Sequence, residues 1–272
     1  MKIRLLCLWL LCLWLMVPVK AQQIDSVYRL KTSREVVLFG VGAASGIASL
    51  VAGQTLDPLT PQAIQALQRS QLAGINRGAA YQWSPTADQL SDLTFVGTVG
   101  VAGLVALPTL RQKGRAIIPV MFLETALLTN GIQRTVKNIA QETRPYVYNP
   151  DVALSVKTGK DARRSFFSGH TSNAFAAAVF ASTVFSHLHP DSRLKPLVWG
   201  GSLVLATGTG LLRYKAGQHF PADLVVGAAF GSVIGWVVPK LHQRTGKRQL
   251  SVAPWANGQA SGVYVRYVPV YR

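Results

Sequence analysis

The sequence predicts an all-α protein, a bundle of about six mostly transmembrane helices that ends in a short β-like tail. Three observations predict it. Six apolar stretches of 15–18 residues run through the chain. Only 14% of residues are charged while 49% are hydrophobic, far from the balance of a soluble domain. After the last apolar stretch the pattern switches to alternation, as in Val263-Tyr264-Val265-Arg266-Tyr267. The same composition excludes a disordered chain, and two cysteines exclude a disulfide scaffold. A formal charge of +17 favours anionic partners. With 272 residues there is ample chain for a core.

Residues 1–21 read as a secretory signal. Lys2 and Arg4 precede an uncharged run from Leu5 to Val17, and Val19-Lys20-Ala21 offers a cleavage site after Ala21. Cleavage would remove both cysteines, Cys7 and Cys12, and would lower the formal charge to +14 by the loss of Lys2, Arg4 and Lys20. The alternative is an uncleaved anchor, although thirteen apolar residues are short of the ~20 a span needs.

The six stretches are Val36–Gly53, Phe95–Leu110, Ala116–Ile132, Asn173–Leu188, Leu197–Leu212 and Leu224–Val238. Gly and Ala are frequent in them, which suits close helix packing in a bilayer. Ser84-Pro85 is a helix-start signal ahead of the second. A soluble bundle of six buried helices is the alternative. Residues 22–94 form an N-terminal helix and an amphipathic connection, in which Ala63, Ile64, Leu67 and Leu72 suit a short interfacial helix. Residues 95–240 form the helical-bundle domain. Residues 241–272 are a basic linker and the β-like tail, with a turn at Asn257-Gly258.

Basic residues at 111–115, 193–195 and 240–248 mark the cytoplasmic side, which leaves the connections 133–171 and 213–223 together on the exported, periplasmic face of a bacterial-type membrane. With a cleaved signal and a full first span the parity is off by one crossing. Either the signal is retained or Val36–Gly53 does not cross.

Three motifs fall in those two connections. In Lys137-x6-Arg144-Pro145 two cations suit a doubly charged oxyanion, Arg through its planar fork and Lys as a point charge. Alone it reads equally as basic residues flanking a membrane helix. In Ser165-Phe166-Phe167-Ser168-Gly169-His170-Thr171-Ser172, Ser168, Thr171 and Ser172 are good helix N-cap candidates, Gly169 permits close backbone approach, and free N–H groups at a helix start attract anions. His170 beside them suits proton donation to a leaving group, or is simply a solvated residue at a cap. In Arg213-x5-His219-x3-Asp223, Pro221 suits the first helical position and Asp223 follows His219 by one turn. A carboxylate on one ring nitrogen makes the other a better nucleophile. Together the motifs describe one site: Lys137, Arg144, Ser168, Gly169 and Arg213 bind phosphate, His219 attacks phosphorus, Asp223 orients it, and His170 protonates the leaving oxygen. No metal or other cofactor is needed. His187, His189 and His242 fall in expected cytoplasmic loops and receive no role.

These three motifs, in this order and spacing, resemble the signature of the type 2 phosphatidic acid phosphatase/vanadium haloperoxidase superfamily, across roughly Phe95 to Val238. The resemblance implies a helical bundle, a phosphohistidine intermediate and hydrolysis of phosphate or diphosphate monoesters, often on lipids such as phosphatidic acid, phosphatidylglycerol phosphate, polyprenyl diphosphate or lipid A. Two positions depart from the pattern: Phe167 stands where Pro is common, and Leu212 where Ser is common. Phe167 bears on substrate preference rather than on the reaction. The vanadate-holding members are large and soluble, which this chain is not expected to be. The partners expected are a lipid phosphate and the membrane, with no nucleic acid; a soluble periplasmic phosphatase for small esters and a non-enzymatic binder of acidic lipids are the other readings. The oligomeric state is not legible.

Overall fold

A computed structural model describes residues 22–244, 249–256 and 261–268. The expected signal and the Asn257-Gly258 turn lie outside the described residues. Among those described, six long helices carry the architecture: α1 Thr32–Gln54, α2 Pro85–Ala106, α3 Ile117–Ala140, α4 Gly169–Leu188, α5 Lys195–Lys215 and α6 Pro221–His242. They lie in one compact unit, Met1–His242. The second unit, Gln243–Arg272, contains the antiparallel pair β1 Gln249–Ala256 and β2 Ser261–Val268, with Gln249 opposite Val268 and Ala256 opposite Ser261. The alternating tail is therefore a hairpin.

Local chemistry sets the helix ends. Ser84 caps α2 by accepting the Ala87 N–H at 3.2 Å, with Pro85 in the first turn. Ser168 caps α4 in the same way, and Pro221 opens α6. At the end of α3, Gln141 adopts a left-handed conformation (φ 47°) and its N–H returns to the Lys137 carbonyl. The expected amphipathic helix is a single short turn, Pro61–Gln65.

Several helices outrun the apolar stretches that announced them. α2 begins ten residues before Phe95, and α3 continues past Ile132 to Ala140, so Lys137 stands on its last turn rather than beyond the helix. His187 and His242 are helical, not in loops: His187 lies in the last turn of α4 and His242 closes α6. Hydropathy marks which residues suit apolar surroundings, whereas the backbone ladder continues through polar residues until a cap stops it.

α4 is the centre of the bundle, packed by α2, α3, α5 and α6. Its run Ala174, Ala176–Ala178, Phe180, Ala181 and Val184 is buried all round. Small residues bring α6 close: a Cβ on Gly231 would overlap the Ser172 carbonyl, and one on Gly235 the Ala176 carbonyl. α1 lies against α3. The outward faces are apolar, with Leu50 73%, Val96 61% and Val225 69% exposed. Among the described residues three helices are long and apolar enough to cross a membrane: Thr32–Gln54, Pro85–Arg111 and Pro221–His242. Such faces suit lipid rather than water.

Candidate active site

The three motifs meet at one end of the bundle. Backbone hydrogen bonds tie their loops together: Arg144 N–H to Ala162 O at 2.8 Å, Ser165 N–H to Glu142 O at 3.0 Å, Tyr146 N–H to Gly217 O at 2.9 Å, and Ser168 N–H to Asp223 O at 3.2 Å. Gly217 takes a positive φ of 71°, and a Cβ there would strike the Gln82 carbonyl, so the turn between Arg213 and His219 requires glycine.

The result is an open cavity of about 1070 Å³. Its wall includes Lys137, Arg144, Gly169, His170, Arg213 and His219, with Asp161 among the cations. Lys160, Arg134 and Arg164 add further positive charge. The α1 residues Ser49, Leu50, Gly53 and Gln54 close one side. Thus part of the wall comes from the end of α1 and from residues 160–164.

Arg144 and Arg213 are both buried and both anchored. Arg144 donates through Nε to Asp161 O at 2.9 Å, pairs through Nη2 with Asp161 Oδ2 at 2.9 Å, and donates through Nη1 to the Gln218 side chain. Arg213 pairs with Asp88 and reaches Ser91 Oγ at 3.4 Å. Anchored guanidinium groups present charge to an anion without having to be ordered by it.

His219 is almost wholly buried, with Nδ1 3.5 Å from Asp223 Oδ2. That is an ion-pair separation, longer than a hydrogen bond. Asp223 Oδ2 already accepts from Ser165 Oγ at 2.6 Å and from Phe220 N–H at 3.0 Å, which fixes the carboxylate. Burial holds the His219 imidazole well below its ordinary pKa, reinforced by Lys137, Arg144 and Arg213, so the ring is neutral at physiological pH. Close by, the Glu142 carboxyl is pushed up to about 7 by burial and by the Asp223 carboxylate.

Ser168 is the N-cap of α4 and Gly169 its first residue. Ser168 is buried, and its Oγ accepts from Thr171 Oγ1 at 2.9 Å. Gly169 lies on the cavity wall, where a Cβ would come within about 3.1 Å of Gln133 Oε1. Gln133 Nε2 in turn donates to Phe167 O at 2.9 Å. Phe167 packs on Phe230, with ring centroids 5.1 Å apart.

Sequence reasoning passed over Asp88 and Asp92. Both lie on the first turns of α2, ahead of the apolar stretch, where Asp88 pairs with Arg213 and Asp92 Oδ1 lies 2.8 Å from His170 Nε2. The Ser84-Pro85 signal and the four-residue spacing put both on one face of a helix, and would have found them. Ser165, Gln218 and Asp161 were also passed over; each acts through tertiary contacts that no local pattern announces.

A bundle of lipid-suited helices that closes one end around a cationic cavity, with a histidine beside a carboxylate in its wall, defines a membrane protein built around an anion-suited site. Residues 119–247, which contain all three motifs, match the family model of the PAP2 superfamily. The chain is 30% identical over 128 residues to "Probable diacylglycerol pyrophosphate phosphatase 1" of Schizosaccharomyces pombe, covering 42% of this chain and 46% of that protein. It is 27% identical over 153 residues to "Lipid A 1-phosphatase" of Rhizobium etli, covering 54% and 62%. The match thus spans less than two thirds of the length of either relative. A solved structure, "Crystal structure of the first transmembrane PAP2 type phosphatidylglycerolphosphate phosphatase from Bacillus subtilis", aligns with 77% of this chain and 94% of its own at 20% identity and a TM-score of 0.36.

Proposed function

We propose that this protein is a membrane phosphatase that hydrolyses a phosphate or diphosphate monoester carried on a lipid, through a phosphohistidine at His219. The observation that carries the reading is the convergence of Lys137, Arg144, Arg213, His170 and His219 on one cavity whose far wall is the apolar helix α1. The named activities of the two curated relatives, both on phosphorylated lipids, support the substrate class.

The chemistry follows from the placement. The two guanidinium groups and the Lys137 ammonium neutralise the phosphoryl oxygens, and extra charge that develops on those oxygens is met by cations already in position. His219 is neutral and, with Nδ1 toward Asp223, presents Nε2 as the nucleophile. An N–P bond forms as the P–O bond to the lipid breaks, and His170, whose free ring is pushed down to about 4 by burial and Arg213, takes up a proton once the phosphate is bound and passes it to the departing oxygen. Water then attacks phosphorus, the N–P bond breaks, and His170 takes the water proton. No metal ion is required at the reacting centre. The active face is the exported one by the charge distribution of the loops.

The test uses detergent-purified wild type and His219→Ala, with phosphate release followed over phosphatidic acid, phosphatidylglycerol phosphate, a polyprenyl diphosphate, lipid A and one soluble ester. Release by wild type alone, best on a lipid, supports the reading. Equal release by His219→Ala overturns the mechanism, and preference for the soluble ester overturns the substrate class.

A further inference from the structure

A second group of ionisable side chains lies away from the cavity. Glu124 precedes Lys137 by about 20 Å of helix on α3, and His242 lies about 28 Å along α6 from Asp223. Here Glu35 of α1, Glu124 of α3 and His242 of α6 bring Oε1, Oε2 and Nε2 within 4.8 Å of one another. Glu124 and His242 are fully buried, and the Glu35 side chain is only 13% exposed.

The hydrogen bonding of this cluster is incomplete. His242 Nδ1 lies 2.8 Å from the Val238 carbonyl, which only accepts, so Nδ1 carries the hydrogen. Nε2 then points a lone pair at Glu35 Oε1 and Glu124 Oε2, each 3.1 Å away. Both Glu124 oxygens and His242 Nε2 are buried without a hydrogen-bond partner. Glu35 Oε1 also accepts from Arg34 Nη2 at 2.7 Å, whereas the buried Glu124 Oε2 and His242 Nε2 face each other without a hydrogen bond, which is unfavourable unless something positive lies between them. A proton on Nε2 reaches one carboxylate at a time. A divalent cation takes one donor from each residue.

We propose that Glu35, Glu124 and His242 form a binding site for a first-row divalent metal ion, best fitted to zinc. One imidazole and two carboxylates are a zinc donor set, whereas magnesium and calcium prefer oxygen alone. The 3.1 Å separations approach the edge of a zinc tetrahedron, about 3.4 Å at a Zn–ligand distance of about 2.05 Å. The Val238 carbonyl on the far ring nitrogen is the outer contact that usually fixes a metal-bound histidine. Arg34, paired with Glu35 at 2.7 Å and donating to Leu241 O at 2.7 Å, already ties α1 to the end of α6. The ion joins the first turn of α1, the middle of α3 and the last turn of α6. Its role is to fasten the N-terminal helix, one wall of the cavity, to the bundle.

The full chain in detergent is stripped with a chelator, equilibrated with zinc, freed of excess ion and assayed for metal content and melting temperature. One zinc per chain and a melting temperature raised by several degrees are expected for wild type and for His219→Ala, and neither for Glu124→Gln. Glu35→Gln, at the less buried edge, keeps the fold and weakens zinc binding by at least about tenfold. This arm and the visible spectrum of the Co2+-loaded wild type decide the matter if Glu124→Gln does not fold. Wild type that retains no zinc overturns the proposal, as does zinc retained equally by Glu35→Gln and wild type. A melting temperature that responds to pH but not to zinc also overturns it, and assigns the cluster to a proton on His242.

Discussion

His170 Nε2 lies 2.8 Å from Asp92 Oδ1, so the imidazole of the second motif is held by a carboxylate from α2, a helix that carries none of the three motifs. In the proposed reaction His170 donates a proton; the Asp92 carboxylate favours that proton, against burial and Arg213, which push the ring down to about 4. Asp92 is then a positioning residue. Asp92→Asn is expected to lower kcat by about 10-fold or more while KM stays within about twofold, because binding rests on the cations and not on this pair. Steady-state kinetics on the best lipid checks the split; a rise in KM with kcat unchanged would place Asp92 in binding instead.

Arg144 makes contacts in three directions, to the Asp161 carbonyl, the Asp161 carboxylate and Gln218. A lysine ammonium has the charge but not the planar fork. Arg144→Lys is expected to fold and to lose about 10- to 100-fold in kcat/KM. Retention of full activity would show that charge alone suffices at this position.

Close approach of α4 and α6 predicts a contrast between two glycines. Gly231 faces the Ser172 carbonyl of α4, whereas a Cβ on Gly200 meets nothing within 4 Å. Gly231→Val is expected to destabilise by roughly 1–3 kcal/mol or more through overpacking. Gly200→Ala is expected to stabilise slightly, because alanine restricts the unfolded chain and favours helix. Thermal melts of the purified proteins in one detergent give both signs.

Glu142 gives a pH dependence whose sign is fixed. Its carboxyl sits at about 7 in the folded chain, above the usual range of about 4.3. The folded state therefore holds this proton more tightly than the unfolded state. Its contribution to stability is full below pH about 4 and declines as pH rises through about 7. Glu142→Gln removes the decline. The variant is expected to melt higher than wild type at pH 8, with the difference shrinking at pH 5; a gap that does not vary with pH would sink the assignment.

The candidate site residues that meet at the cavity could be picked out because their spacing is local. His219 and Asp223 are one helical turn apart, Ser168 announces a helix start, and Lys137, Arg144 and Arg213 flank apolar stretches that can be counted along the chain. The hairpin was legible for the same reason, from alternation over a few residues. The partners of those residues were not. Asp88 and Asp92 come from α2, Asp161 and Ser165 from the turns before α4, and Gln218 from the other arm of the third motif. His242 looked like a loop residue, yet it closes a helix and lies buried against Glu35 and Glu124.

By itself the sequence determined the class of fold, the number of long helices and the identity of the cations and histidines, since composition and short-range spacing act through propensity, capping and hydropathy. Only the tertiary structure decided which carboxylate serves which cation, how deeply His219 is buried, and that α1 closes the cavity. Those outcomes depend on contacts between residues far apart in the chain, such as Arg213 with Asp88 and His170 with Asp92, and no local pattern encodes them.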